Sequence, residues 1–185
     1  MSILMMTVIY GAVFLTAERT TGALRRQATV PLSRLDIVTG KLLGRLLIAL
    51  VQALLLLAAG KYLYGVFWGR SAAGLALVVV AFAACAAACG LLFGAVFRTP
   101  EQAGAVGWIA PLLMAALGGC WWPLEVVPRW LQLAGHISPA AWSMDALHRL
   151  SSFGEGLGAV WLPSMVLFAY AALFTLLAAR YLRWE

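Results

Sequence analysis

Residues 72–97 read AAGLALVVVAFAACAAACGLLFGAVF and contain no charged side chain. A helix needs about 20 apolar residues to cross the roughly 30 Å hydrocarbon layer of a membrane, and this stretch exceeds that length. Its many Ala, Gly and Cys residues suit close packing between membrane helices, because small side chains let two backbones approach. The stretch therefore predicts a membrane-spanning helix with a surface of small residues.

Further apolar stretches on both sides predict a bundle of spans. Prolines within two of these stretches are compatible with membrane helices, because neighbouring helices satisfy the freed carbonyls. The N-terminal stretch is only about 25 Å long as a helix. It has no Lys or Arg before Arg19, unlike a signal peptide, so we interpret it as a short first span. The five predicted spans cover residues 1–17, 46–68, 72–97, 103–122 and 157–179.

Composition supports a membrane protein. Hydrophobic side chains make up 64% of the 185 residues and charged ones 11%, whereas ordinary soluble domains have about 25% charged residues. This excludes a soluble enzyme and a disordered chain, since a soluble surface needs more polar groups. The net charge of +6 does not indicate a nucleic-acid partner, because most cations flank predicted spans and act as topology signals.

The cations also predict an orientation. Six Lys and Arg residues fall in segment 18–45, and such clusters stay on the cytoplasmic side of a membrane. Alternation of the spans then places segment 123–156 outside, the N-terminus outside and the C-terminus inside.

Segment 18–45 is the sizeable cytoplasmic element of this topology. Pro31 divides it into a short basic piece along the inner surface and a helix that runs from Arg34 into the membrane. The short piece is either a basic loop held against anionic lipid or a docking helix for a cytoplasmic partner. Composition does not separate these two interpretations.

Segment 123–156 combines aromatic residues with prolines. Two short amphipathic helices are expected, around residues 127–134 and 140–150. Both are too short to span and too apolar to leave the membrane, so they lie in the outer interface or enter it as a re-entrant pair. The alternative is an aromatic belt without a further role. The tryptophans in or beside the segment are Trp121, Trp122, Trp130 and Trp142, and its prolines are Pro123, Pro128 and Pro139.

Motifs for catalysis, metal binding and phosphate binding are absent from the sequence. Gly40-Lys41 lacks the surrounding residues of a phosphate-binding loop, so energy for uphill transport has to come from another chain. The spans hold no ionisable residue apart from Lys61, which disfavours ion-coupled carriers. Cys85 and Cys89 have no His or carboxylate nearby in sequence, so we predict packing residues and no metal site.

Several weak motifs occur in a fixed order. E-R-x-x-G-x-L-R at 18–25 is followed by P-L-S-R at 31–34 and G-K-L-L at 40–43. G-x-x-W-W-P-L-E-x-x-P-x-W-L-Q then covers residues 118–132, and S-P-A-A-W covers 138–142. In this order and spacing the chain resembles, over essentially its whole length, the membrane permease subunits of type-two ABC transporters, a largely exporting class.

The resemblance implies properties that the composition does not show. Such permeases have six spans, form homo- or heterodimers and work with an ABC ATPase that hydrolyses the ATP, so no cofactor is expected on the permease itself. The ATPase grips a coupling helix, and external re-entrant helices cap the substrate path. By position, the ATPase-coupling residues are Glu18, Arg19, Gly22, Leu24, Arg25, Pro31 and Leu32. The external cap contains Trp121, Trp122, Pro123, Pro128, Trp130 and Pro139.

The expected fold is therefore all-α. It is a polytopic transmembrane helix bundle of five spans with a cytoplasmic coupling helix and an external re-entrant helical segment, in one permease domain over residues 1–185. Five spans instead of six implies that the family's first span is missing, through truncation or because another chain supplies it. The resemblance also implies the inner (plasma) membrane of a bacterium or archaeon.

The expected function is ATP-driven export of a hydrophobic or amphipathic substrate, by a permease subunit that is not itself an enzyme. The first alternative is a non-transporting membrane anchoring or assembly protein, for which a basic loop and an aromatic belt suffice. The second is a membrane enzyme, which the missing acid–base groups disfavour.

Overall fold

The structure is a computed structural model that describes residues 1–22, 34–121 and 128–182. Within those ranges the chain forms seven α-helices and no strand. The helices are α1 (Ser2–Thr20), α2 (Arg34–Tyr64), α3 (Ala72–Val96), α4 (Pro100–Leu117), α5 (Arg129–Gly135), α6 (Pro139–Ser151) and α7 (Leu157–Tyr181). The predicted all-α class is confirmed.

Helix α3, which is formed by the long uncharged stretch that begins at residue 72, is the centre of the bundle. It packs most extensively against α7 and α1, and 61% of its most apolar stretch is buried, against 11% for α2. Ala86, Ala87 and Ala88 have no exposed surface. Cys85 and Cys89 are free and buried in the same region, as packing residues are. Helix α2 lies at the periphery, with most of its apolar side chains uncovered.

Glycines set the distance between α1 and α3. A Cβ added at Gly90 would lie 2.9 Å from the Thr7 carbonyl oxygen, and one at Gly94 would lie 2.7 Å from Cβ of Leu15. Gly11 faces Gly90, and a Cβ on Gly11 would lie 2.9 Å from Cα of Gly90. The close approach of the two backbones therefore depends on these glycines, in the small-xxx-small pattern that is typical of membrane helices.

Four helices among the described residues are long and apolar enough to cross a membrane: α1, α2 from Asp36 onward, α3 and α7. The predicted span 103–122 corresponds to α4, which begins with Pro100, Glu101 and a cap by Thr99. It ends before residue 122 because Gly119 has a φ of +76° and the Cys120 N–H bonds to the Ala115 carbonyl at 3.0 Å. This is the closure of a Schellman motif. A fifth span stays a prediction.

The bounds of the other spans shift for local reasons. Helix α2 begins at Arg34, as predicted, but ends at Tyr64 instead of residue 68 because Gly65 adopts a φ of +65°. The chain then folds back, and the Trp68 indole N–H donates to the Leu57 carbonyl at 3.1 Å. Helix α1 continues beyond residue 17 through Thr20.

Candidate functional site

An ion pair joins the end of α1 to the beginning of α2. Lys41 Nζ donates to the Glu18 carboxylate. The Lys41 side chain is 14% exposed and that of Glu18 is 37% exposed. The Glu18 side chain is therefore the more accessible member of the ion pair. The resemblance assigns Glu18 to the ATPase-coupling region, and within the chain the structure pairs it with Lys41.

Arg19 joins the same end of α1 to α3. Its Nη1 donates to the Phe97 carbonyl at 3.0 Å and its Nη2 to the Ala95 carbonyl at 3.2 Å. The last carbonyls of a helix lack intrahelical donors and carry partial negative charge, so a cation there is favourable. We call the group formed by Glu18, Arg19, Lys41 and the last turn of α3 the helix-end junction, because it holds α1, α2 and α3 together.

Gly22 ends the described part of this region. Its φ is +74°, a conformation that glycine adopts without steric cost, and its N–H donates to the Arg19 carbonyl at 3.1 Å. Within residues 1–22, 34–121 and 128–182, no heavy atom beyond its chain neighbours lies within 4 Å of the position that a Cβ would take, and the positive φ is the feature that favours glycine here. The remaining predicted coupling residues, Leu24, Arg25, Pro31 and Leu32, lie outside the described residues.

At another part of the bundle, α6 is anchored on the end of α4. The Ser138 hydroxyl accepts from the Ala140 N–H at 3.2 Å and donates to the Met114 carbonyl at 2.9 Å. Pro139 is buried at the first position of α6, where its missing N–H has no cost. A Cβ at Gly118 would lie 2.5 Å from Cβ of Ala140. The S-P-A-A-W motif therefore forms the N-terminus of α6, which packs closely against Gly118.

A histidine network joins α5 to α6. His136 Nδ1 lies 2.8 Å from the Gln132 carbonyl oxygen, and its Nε2 lies 2.8 Å from Asp145 Oδ2. The Gln132 carbonyl, followed by the Asp145 carboxylate, raises the pKa of His136 above its usual value. Both partners are acceptors, so the protonated ring satisfies both with its two N–H groups. Trp142 Nε1 donates to the His136 carbonyl at 2.8 Å, and the two rings meet edge to face.

The predicted cap residues differ in environment. Trp121 and Trp130 are 52% and 69% exposed, and the Trp121 indole N–H donates to Met1 Sδ at 3.0 Å. Pro128 is the N-cap residue of α5. The two short helices expected here are present as α5 and α6. Trp122 and Pro123 lie outside the described residues.

Sequence reasoning missed the two partners that organise these regions, Lys41 and Asp145. In the sequence Lys41 is one of six cations that predict the orientation, and it is 23 residues from Glu18. His136 is the C-cap residue of α5, whereas Asp145 lies in α6. No local spacing rule identifies such pairs, because each depends on how two helices are placed relative to one another.

A small cavity of about 160 Å³ lies between the start of α1, α2, α3 and α6. Trp68, Phe82 and Leu147 line it, together with the polar Ser143. The cavity is mainly apolar, so it suits a hydrophobic group.

Known proteins match nearly the whole chain. The family model for "ABC-2 family transporter protein" matches residues 1–180. The chain is 29% identical over 169 residues to the linearmycin resistance permease protein LnrN of Bacillus subtilis (strain 168), covering 91% of this chain and 44% of that protein. It is 29% identical over 146 residues to the probable multidrug ABC transporter permease YbhR of Escherichia coli (strain K12), covering 78% and 39%. The matched region is less than half the length of either relative. No solved structure matches the chain significantly.

Proposed function

This chain belongs to the ABC-2 family of transporter membrane proteins, which confirms the resemblance seen in its sequence, and from that premise we propose a specific function. It is the membrane-spanning permease part of an ATP-driven exporter of hydrophobic or amphipathic substrates. A separate ABC ATPase subunit hydrolyses the ATP.

The helix-end junction is the observation that carries this proposal. Helix α1 ends at Thr20 and α2 begins at Arg34, so the residues between them connect two helices that Glu18 and Lys41 hold together. Arg19 extends the link to α3, the centre of the bundle. A partner that moves the 18–45 segment therefore acts on three helices at once, as coupling between an ATPase and a permease requires.

The described surfaces favour an apolar or amphipathic cargo. The cavity beside Trp68 and Ser143 is mainly apolar, and α2 leaves large apolar side chains uncovered. The relatives carry the names linearmycin resistance permease and probable multidrug permease, and we extend drug-like cargo from them to this chain as part of the proposal.

We also propose a topology and an assembly for the permease. Segment 18–45 lies in the cytoplasm, and segment 123–156, with α5 and α6, caps the substrate path outside. Helix α4 is the fifth span. The permease works as a homo- or heterodimer in the inner (plasma) membrane of a bacterium or archaeon.

Co-expression with a candidate ABC ATPase subunit from the same organism tests this function. We expect the ATPase to co-purify with the permease and inverted vesicles to take up an amphipathic dye only with ATP. Leu24→Asp and Arg25→Glu should reduce both signals without changing membrane insertion, because they alter the coupling region. Arg129→Glu, an exposed cation on α5, is the matched control. If the ATPase neither binds nor drives uptake, the anchoring alternative is favoured.

A further inference from the structure

A groove of about 510 Å³ runs between α1 and α2. Its volume is in the range of small-molecule sites, about 300–1,000 Å³. The contacts of Glu18 with Lys41 and of Gly11 with Arg45 show that the two helices run antiparallel. The apolar walls of the groove are Met6, Tyr10 and Phe14 from α1 and Ile48, Val51 and Leu55 from α2.

Arg45 provides the only cation among the described residues that line the groove. Its Nη1 donates to the Gly11 carbonyl, but a guanidinium has five N–H donors. This is the one hydrogen bond that Arg45 makes with the described residues, and its side chain lines the groove. Glu18 acts on Arg45 electrostatically, but its carboxylate is held by Lys41, and no carboxylate of the described residues forms an ion pair with Arg45.

The polar and apolar parts of the groove are separated along its length. On α2, Lys41, Arg45, Ile48 and Gln52 follow at helical spacing and so share one face. Arg45 is toward the helix-end junction, and the wall beyond it is apolar except for Gln52 and Thr7. The groove therefore matches a lipid-like molecule, whose polar head would lie at Arg45 and whose apolar chain would lie along the apolar wall.

We propose that the groove binds an anionic amphiphile drawn from the membrane, with its acidic head on Arg45 and its apolar chain between α1 and α2. A cation in apolar surroundings calls for a counter-charge, and a planar guanidinium forms bidentate bonds with phosphate, sulfonate or carboxylate oxygens. The uncovered Ile48, Val51 and Leu55 side chains, 70%, 56% and 67% exposed, supply contact for the chain. Binding at this site does not require that the chain export the same molecule.

Photolabelling in reconstituted vesicles tests the site. The whole protein is placed in phosphatidylcholine vesicles with a photoactivatable alkyl sulfonate, and the labelled peptides are mapped. The matched alkyl alcohol and alkyl ammonium probes have the same chain. We expect the sulfonate to label peptides of α1 and α2 about tenfold more than the alcohol, the ratio for one charge-assisted contact. Equal labelling of the parent protein by the sulfonate, alcohol and ammonium probes overturns the proposal.

Variants then locate the charge. Arg45→Gln should reduce sulfonate labelling about tenfold, whereas Arg45→Lys should retain most of it because the charge remains. Arg70→Gln, an exposed cation after α2, should have no effect. A similar loss in Arg70→Gln overturns the site, because general surface charge would then explain the labelling.

A second copy of the chain is the competing occupant. In a variant without native Cys, Val51→Cys should remain accessible to the lipid-soluble reagent N-ethylmaleimide, and an excess of unlabelled alkyl sulfonate should slow that reaction. Efficient disulfide cross-linking between copies at Val51→Cys, with no protection by the sulfonate, assigns the groove to a protein contact and overturns the proposal.

Discussion

Exchanging the charges of Glu18 and Lys41 separates two roles for the helix-end junction. If the pair serves to hold α1 against α2, each single reversal, Glu18→Lys or Lys41→Glu, places two like charges together. The double variant restores an attractive pair in the opposite direction. If Glu18 instead makes a charged contact with the ATPase, the double variant still presents the wrong charge to that partner.

The exposure of the two side chains sets the magnitude. Exposed pairs contribute about 0.2–1 kcal/mol, and exposures of 14% and 37% place this pair near the upper end, about 1 kcal/mol. A single reversal replaces attraction with repulsion of similar size, so it should cost about 2 kcal/mol, or up to roughly thirtyfold in the ratio of folded to unfolded protein. The double variant should recover most of that loss.

The assay is denaturant unfolding of the four proteins in detergent micelles, followed by ATP-dependent uptake in vesicles. We expect the double variant to approach the parent in both measurements. A double variant that is no more stable than either single one refutes the intrachain role. Recovery of stability without recovery of uptake assigns Glu18 an additional contact with the ATPase.

Three further predictions follow from the packing and polar contacts. Gly90→Ala should lower the free energy of unfolding by about 1–3 kcal/mol because its Cβ meets backbone atoms of α1. Gly44→Ala on α2, whose Cβ would meet no described atom within 4 Å, should be neutral or stabilising. Arg19→Gln should cost about 1.5–3 kcal/mol through its lost contacts with α3, and Arg19→Lys less, as measured by the same unfolding assay. The pKa of His136 is raised in the folded protein, so its protonated ring stabilises the fold. This contribution is complete below the pKa of about 6.5 that His136 has in the unfolded chain, and it is lost as the pH rises through the pKa of the folded protein. Asp145→Asn should therefore be more destabilising in mildly acidic than in alkaline unfolding experiments, and a pH-independent difference contradicts the ion pair.

The all-helical class and four of the five predicted spans agree with the structure, because membrane helices are specified mainly by length and apolar composition. The segment 72–97 became the central helix, and its small residues make the close contacts expected of them. The helix ends were predicted less well. Gly65 and Gly119 end α2 and α4 through positive φ angles, and a hydropathy pattern does not distinguish such glycines from those within the spans.

The functional residues were predictable only in part. The motif order predicts a coupling region and an external cap, and both stay predictions; the structure places two of the predicted coupling residues, Glu18 and Arg19, near the end of α1. Their intrachain partners depend on helix placement, so composition and spacing gave no sign of them. Arg45 is one of the six cations of segment 18–45 in the sequence and falls in the helix predicted from Arg34, but nothing in the pattern indicates its contact with the Gly11 carbonyl of α1.

Gly11 connects the packed core with the groove. Its missing side chain allows α3 to approach, since a Cβ there would lie 2.9 Å from Cα of Gly90. The same Cβ would lie 2.9 Å from Arg45 Nη1, which donates to the Gly11 carbonyl. A carbonyl oxygen has two lone pairs, so it can accept from Arg45 while it remains in the helical hydrogen-bond pattern. Because one residue fixes both contacts, a shift of α1 against α3 also moves the anchor of the cation in the groove.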